Sequence, residues 1–209
     1  MFRDRVDAGR QLADKLGAYY AADAVVLALP RGGVVLGAEV AKTLRVPLDL
    51  IIARKIGHPQ EPEYAIGAVA EFGEPIYNEA ECARIDRDWL QRAVQHARDE
   101  ARRQRETYLV GRSSTPWNGK ILILVDDGIA TGLTMRAAIR AAQAQRPRDL
   151  IVAIPVIPPQ TVEVLQREGV LVIAVDIPPV FHGAVGAYYQ DFHPVADEEV
   201  QQLLHSHIS

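Results

Sequence analysis

The sequence predicts an α/β fold: a doubly wound, mainly parallel sheet with flanking helices, built as a single domain over residues 1–209. Three observations carry that expectation. Ile121-Leu122-Ile123-Leu124-Val125 is a run of five branched apolar residues, the pattern of an inner strand buried on both faces. Further apolar runs at 24–29, 46–53, 150–157 and 170–175 alternate with helical patterns, as parallel strands joined by helical crossovers do. With 48% hydrophobic residues in 209, the chain can bury a sizeable core as one domain with a small accessory lobe.

Each element has its own justification. Between Arg5 and Tyr20, apolar positions at Val6, Ala8, Leu12, Ala13 and Leu16 make a helical packing face. Ala24–Leu29 reads as the first buried strand, interrupted by Pro30-Arg31-Gly32-Gly33 before a helical pattern over 34–44. Val46–Ala53 reads as a second strand ending at Arg54-Lys55, and the Gly- and Pro-rich stretch 57–64 suits no regular element. Residues 65–77 suggest a hairpin, and 86–108 the longest helix, with Leu90, Val94, Ala97, Ala101 and Tyr108 on one face. Seven arginines stand against four acids between Arg84 and Arg105, and we read them as a solvated helix face because Asp99 and Glu100 intervene and no aromatic platform accompanies them. Loop 111–119, with Ser113 and Ser114, leads into the strand at 121. Helices are expected at 133–145, 161–168 and 196–205, with His205 and His207 lacking clear ligand partners.

Composition narrows the function classes. A formal charge of −4 disfavours nucleic acid and anionic membrane as bulk-charge partners. The single cysteine, Cys82, excludes an internal disulfide and fits a reducing compartment. The first residues are charged from Arg3 onward, and no apolar run reaches the ~18 residues of a membrane helix. The expectation is a cytoplasmic protein.

The chemistry concentrates at 125–134. The strand stops at Asp126 and Asp127, where the carboxyl edge of an open α/β sheet binds ligands. Gly128 and Gly132 permit tight turns, and Thr131 and Thr134 place hydroxyls beside a helix start whose free amides favour an anion. Paired acids next to an anion cradle suit a ligand with both hydroxyls and phosphate. The plain alternative is simple capping of a strand end. Pro30-Arg31-Gly32-Gly33 is a second phosphate-loop candidate with a permanent cation, matching neither a dinucleotide fingerprint nor a P-loop, the alternative being a plain strand-to-helix turn. Arg54 and Lys55 either neutralise an anionic ligand or are solvated.

The run Val125-Asp126-Asp127-Gly128-Ile129-Ala130-Thr131-Gly132-Leu133-Thr134 resembles the phosphoribosyl-pyrophosphate (PRPP) motif of type I phosphoribosyltransferases, with purine-type enzymes nearest. The resemblance covers roughly Ala24 to Tyr189. It implies that Asp126 and Asp127 hold the ribose hydroxyls, bearing on Mg²⁺ only indirectly through those hydroxyls or water. It further implies that Gly128, Ile129, Ala130, Thr131, Gly132 and Thr134 bind PRPP, with the loop wrapping its 5′-phosphate. Pro30, Arg31, Gly32, Gly33, Arg54 and Lys55 then take the pyrophosphate. Hood or lid elements are implied at 57–77 and 176–192, the first closing over the reaction to exclude water. His58 there is a tempting acid but reads more simply as exposed. Phe181 or His182 is implied to stack on the acceptor base beside Ala130, the alternative being an aromatic cover over the core.

Departures from the family limit what is carried over. Ala130 stands where oxopurine enzymes have an aspartate, 154–158 lacks their lysine, and Pro179 replaces an acid after Ile177-Pro178. The expectation is transfer of the 5-phosphoribosyl group from PRPP to a nitrogen acceptor other than a typical 6-oxopurine, with pyrophosphate release and Mg²⁺ as cofactor. The acceptor, a general base and any catalytic side chain stay unassigned. A homo-oligomer, a dimer by resemblance, is expected. A PRPP- or nucleotide-sensing regulator with little turnover is the second reading, and a sugar-phosphate hydrolase the third.

Overall fold

A computed structural model describes residues 1–112 and 115–206; Ser113, Ser114 and His207 lie outside the described residues. The chain opens with α1 (Arg5–Lys15), N-capped by Asp4, whose side chain accepts the Asp7 amide at 2.7 Å. The helix stops before Gly17, where a short 3₁₀ turn replaces the continuation to Tyr20 that the sequence suggests. There follow β1 (Ala24–Ala28), α2 (Gly32–Leu44), β2 (Leu48–Leu50), β3 (Ala53–Gly57), β4 (Ala65–Ala70) and β5 (Ile76–Tyr77). Then come α3 (Glu79–Cys82), α4 (Arg87–Tyr108), β6 (Ile121–Val125), α5 (Leu133–Ala144), β7 (Asp149–Val156), α6 (Pro159–Arg167), β8 (Leu171–Asp176) and α7 (Asp197–Ser206).

Five strands form a parallel sheet in the order β2-β1-β6-β7-β8. Alternate side chains of each inner strand point to opposite faces, so two cores grow from one sheet. On one face Val26, Ala28, Ile123 and Val125 pack with Leu12 of α1, Leu36 of α2 and Val200 of α7. On the other, Val25, Leu27, Leu122 and Leu124 pack with Ile139 of α5 and Leu165 of α6. That two-sided burial is why residues 121–125 contain no polar position. No helix among the described residues is long and apolar enough to cross a membrane.

The run 46–53 is not one strand. It splits after Leu50, and β3 joins β4 and β5 in a separate antiparallel sheet. Gly57 ends β3 opposite Ala65, and residues 58–64 become the connection between β3 and β4, closed by the His58 amide donating to Tyr64 O at 2.8 Å. This small sheet lies between two helices: Ile56, Ile66 and Val69 bury against Val94 and Ala97 of α4, while Ala68 and Ile76 bury against Ala137 of α5. One sheet thereby fixes the long helix to the main body.

The reading of a solvated face holds for Arg84, Arg87, Arg92 and Arg103, which are exposed, and is corrected at three other arginines, all of α4. Arg98 donates to Gly73 O at 2.7 Å, Arg102 to Glu71 O at 3.1 Å, and Arg105 to both Asp49 oxygens at 3.0 and 3.2 Å. Helical spacing places these three along the side that meets the small sheet, where carbonyls and buried acids await donors. Arg103, by contrast, is largely exposed.

Candidate functional site

Two loops meet at the carboxyl edge of the sheet because β1 and β6 are neighbours in register, Ala28 opposite Val125. The Leu29 amide extends the ladder by donating to Val125 O at 2.9 Å. Beyond it, Pro30–Gly33 turns into α2 directly against Asp126 and Asp127. A Cβ at Gly32 would sit 1.9 Å from Asp127 Oδ2, and one at Gly33 2.9 Å from the Asp126 Cα. The glycines are therefore there for close approach of two loops, and any side chain would force them apart.

The acid pair divides its work. Asp126 lines a cavity of about 220 Å³ together with Lys55, Gly128–Gly132, Thr134, Met135 and Val185. Its Oδ1 accepts the Asp127 amide at 2.8 Å. Asp127 turns its Oδ2 to Arg5 Nε at 2.8 Å, while its carbonyl accepts the Tyr189 hydroxyl at 2.6 Å. Burial pushes both carboxyls above the usual range, and the neighbouring Asp127 charge pushes Asp126 further; Arg5 opposes this at both positions and Lys55 at Asp126. Burial also raises the Tyr189 phenol, keeping it a hydrogen-bond donor.

The loop after the acids is pinned on both sides. The Ile129 amide donates to Val156 O at 3.1 Å, and Thr161 Oγ1 to Ala130 O at 2.7 Å. Gly132 then adopts φ +79°, a left-handed conformation open to glycine, and α5 starts at once. Thr134 and Met135 in its first turn reach the cavity. A helix start offers unpaired amides and a positive dipole end, so amides, hydroxyls and the Lys55 ammonium surround a space suited to a phosphate.

Arg54 and Lys55 do not follow a strand end as the sequence suggests; both lie within β3. Side chains alternate along a strand, so the neighbours part company. Lys55 lines the cavity, whereas Arg54 ion-pairs with Glu100 of α4 at 2.8 Å. Arg31 remains half-exposed beside Asp197 of α7 at 3.6 Å. Phe181 stacks on Tyr188 with centroids 5.2 Å apart, and His182 meets the same ring at 5.6 Å. From this 176–192 segment, the side chain that lines the cavity is Val185. Arg5, Val185 and Tyr189 carry no functional signal in the sequence. Arg5 lies 122 residues from the acid it contacts, and no local pattern reports such a pairing.

No group of three or more His, Cys, Asp or Glu among the described residues could hold a metal ion. A cation here would take its ligands from a bound phosphate compound and water, with the acid pair bearing on it only through them, as suits Mg²⁺.

A parallel sheet whose adjacent strands β1 and β6 end in two facing loops, one glycine-rich and one acidic, defines an open α/β protein with its candidate ligand crevice at the carboxyl edge of the strands. Residues 4–190 match the phosphoribosyl transferase domain family, and the chain belongs to that family. It is 38% identical over 206 residues to proteins named "Putative phosphoribosyl transferase" from two strains of Mycobacterium tuberculosis, CDC 1551 / Oshkosh and H37Rv. The match covers 98% of this chain and 46% of each relative, so the chain spans less than half their length. The crystal structure of TT1426 from Thermus thermophilus superposes with a TM-score of 0.84 at 41% identity, over 100% of this chain and 99% of that one.

Proposed function

We propose that the protein transfers the 5-phosphoribosyl group of PRPP to a nitrogen acceptor. The observation that carries this reading is the cavity in which Asp126, Lys55 and the start of α5 converge. Asp126 accepts from the ribose hydroxyls, with Asp127 held beside it. The amides of the 128–134 loop and the Thr131 and Thr134 hydroxyls take the 5′-phosphate. Lys55, with Arg31 at the opposite loop, draws the pyrophosphate; Arg54 joins only by leaving Glu100. When bound, Mg²⁺ supplies charge neutralisation to the donor's oxygens.

In the reaction the C1–O bond to pyrophosphate breaks, its electron pair departing with the leaving group, and a nitrogen lone pair forms the C1–N bond. The nitrogen's surplus proton passes to solvent or to a base on the acceptor side. These side chains contribute positioning and charge stabilisation. Ala130 in place of an acid, and the lack of a lysine over residues 154–158, support an acceptor other than a 6-oxopurine, which would leave polar edges unpaired. The hood at 57–77 and 176–192 belongs to the same proposal.

The test is pyrophosphate release from Mg²⁺–PRPP across purines, pyrimidines and small heterocyclic acids. Acceptor-dependent release is expected, with guanine, hypoxanthine and xanthine on the order of 10²-fold poorer than the best acceptor, two lost contacts at roughly 1–3 kcal/mol each. Efficient oxopurine transfer overturns the selectivity. Equal release without acceptor points to hydrolysis, and tight binding with no release at all points to a sensor.

A further inference from the structure

We propose that Arg5 is a positioning residue of the donor site: from α1 it clamps the Asp127 carboxylate against the Gly32 turn and leaves Asp126 free to face the cavity. This rests on the PRPP reading above. Nothing in the 125–134 motif or the glycine loop anticipates a contribution from the first helix.

Five contacts build the clamp. Arg5 Nε donates to Asp127 Oδ2 at 2.8 Å, Arg5 Nη1 donates to His193 O at 2.6 Å, and the guanidinium carbon lies 3.8 Å from the Phe192 ring centroid. Phe192 in turn packs on Tyr189 with centroids 4.8 Å apart, and Tyr189 donates to the Asp127 carbonyl at 2.6 Å. Side chain and main chain of Asp127 are thus held by one cluster. The ion pair is shielded, its side chains only 12% and 17% exposed. A flat fork that bonds in two directions while stacking on a ring is arginine chemistry, which a lysine cannot reproduce. The bare Gly32 backbone completes the seat, since a Cβ there would strike Asp127 and approach Arg5 Nε to 2.8 Å.

The electrostatic purpose follows from placing two adjacent carboxyls in a poorly solvated turn. Burial favours their protonated forms, and Arg5 acts against that at both Asp126 and Asp127. Lys55 from β3 helps at Asp126, and the Tyr189 phenol faces the pair from the C-terminal segment. On the outer side Arg5 shares a cleft with Asp191, His193 and Glu199.

The test is calorimetric titration of the full chain with Mg²⁺–PRPP at neutral pH, with circular dichroism confirming that each variant is folded. Arg5→Met is expected to weaken binding about tenfold or more, as truncating one member of a shielded charge pair does. Arg5→Lys should recover part of the loss. In an Asp127→Asn background, Arg5→Met should change affinity less than about twofold, because the carboxylate it acts on is gone. Arg5→Gln reads the same loss should Arg5→Met be unstable. Wild-type affinity in a folded neutral variant overturns the assignment while leaving the PRPP reading intact, as does an equal loss in the Asp127→Asn background. Failure of the wild type to bind Mg²⁺–PRPP overturns both.

Discussion

Asp126 and Asp127 are adjacent in sequence yet occupy different environments, which makes their substitutions distinguishable. Asp126 lines the cavity, so Asp126→Asn should weaken Mg²⁺–PRPP about tenfold or more in calorimetry while the melting temperature falls little, since the Asn side-chain oxygen can still accept the Asp127 amide and a desolvated carboxylate is relieved. Unchanged affinity would remove this residue from the donor site. Gly32 has no charge to lose but no room either. Gly32→Ala should cost about 1–3 kcal/mol of stability and weaken PRPP binding, because the added methyl displaces Asp127 or opens the turn. A variant as stable and as tightly binding as wild type would show that the loops yield at no cost. The motif pattern makes both acids visible as a pair; which of them faces the cavity depends on Arg5, far away in sequence.

At the scale of elements, the decisive joint is α4 with the small sheet and the end of β2. Asp49 is buried and takes both an Arg105 bond and the Trp117 indole N–H at 3.0 Å; Arg105 also donates to the Leu50 carbonyl. Glu71 shares the Arg105 guanidinium at 3.3 Å, longer than the Asp49 contacts, and burial pushes its carboxyl up to about 7, with nearby Asp49 adding to the rise against Arg105. A raised folded-state value means that the folded form holds a proton the unfolded chain has released. Stability should therefore fall as pH rises from about 4.5 to about 7 and level off above, the total on the order of 3 kcal/mol for this group. Glu71→Gln should flatten that limb in urea melts taken across the weakly acidic to weakly alkaline range; an identical slope in the variant would assign the pH dependence elsewhere. Arginine-rich sequence on a predicted helix gives no hint of this joint. The acids and carbonyls that neutralise the arginines come from β2 and the turn beyond β4, well outside the helix's own sequence neighbourhood.

At the scale of the whole molecule, Phe2 and the 188–190 segment lock together beside the site. The Phe2 amide donates to Tyr188 O at 2.8 Å, Gln190 donates to Phe2 O at 2.9 Å, and the Phe2 ring lies 5.2 Å from that of Tyr189. Phe2→Ala should cost about 3–5 kcal/mol and also weaken PRPP binding, since Tyr189 carries the Asp127 carbonyl. A thermal shift without any change in affinity would uncouple this clasp from the loop. The features legible without coordinates are those that local pattern encodes: apolar runs name the strands of the parallel sheet, and the Asp-Asp, Thr-Gly and Gly-Gly spacings name the two loops at its edge. Burial on both faces and turns of fixed geometry impose those patterns residue by residue. Three others emerge only in three dimensions: the break after Leu50 that sends Lys55 to the cavity and Arg54 to Glu100, the arginine contacts of α4, and the turning of Asp127 to Arg5. These rest on pairings between distant segments, where the strength of a charge or hydrogen bond depends on burial and on partners that no neighbouring residue predicts.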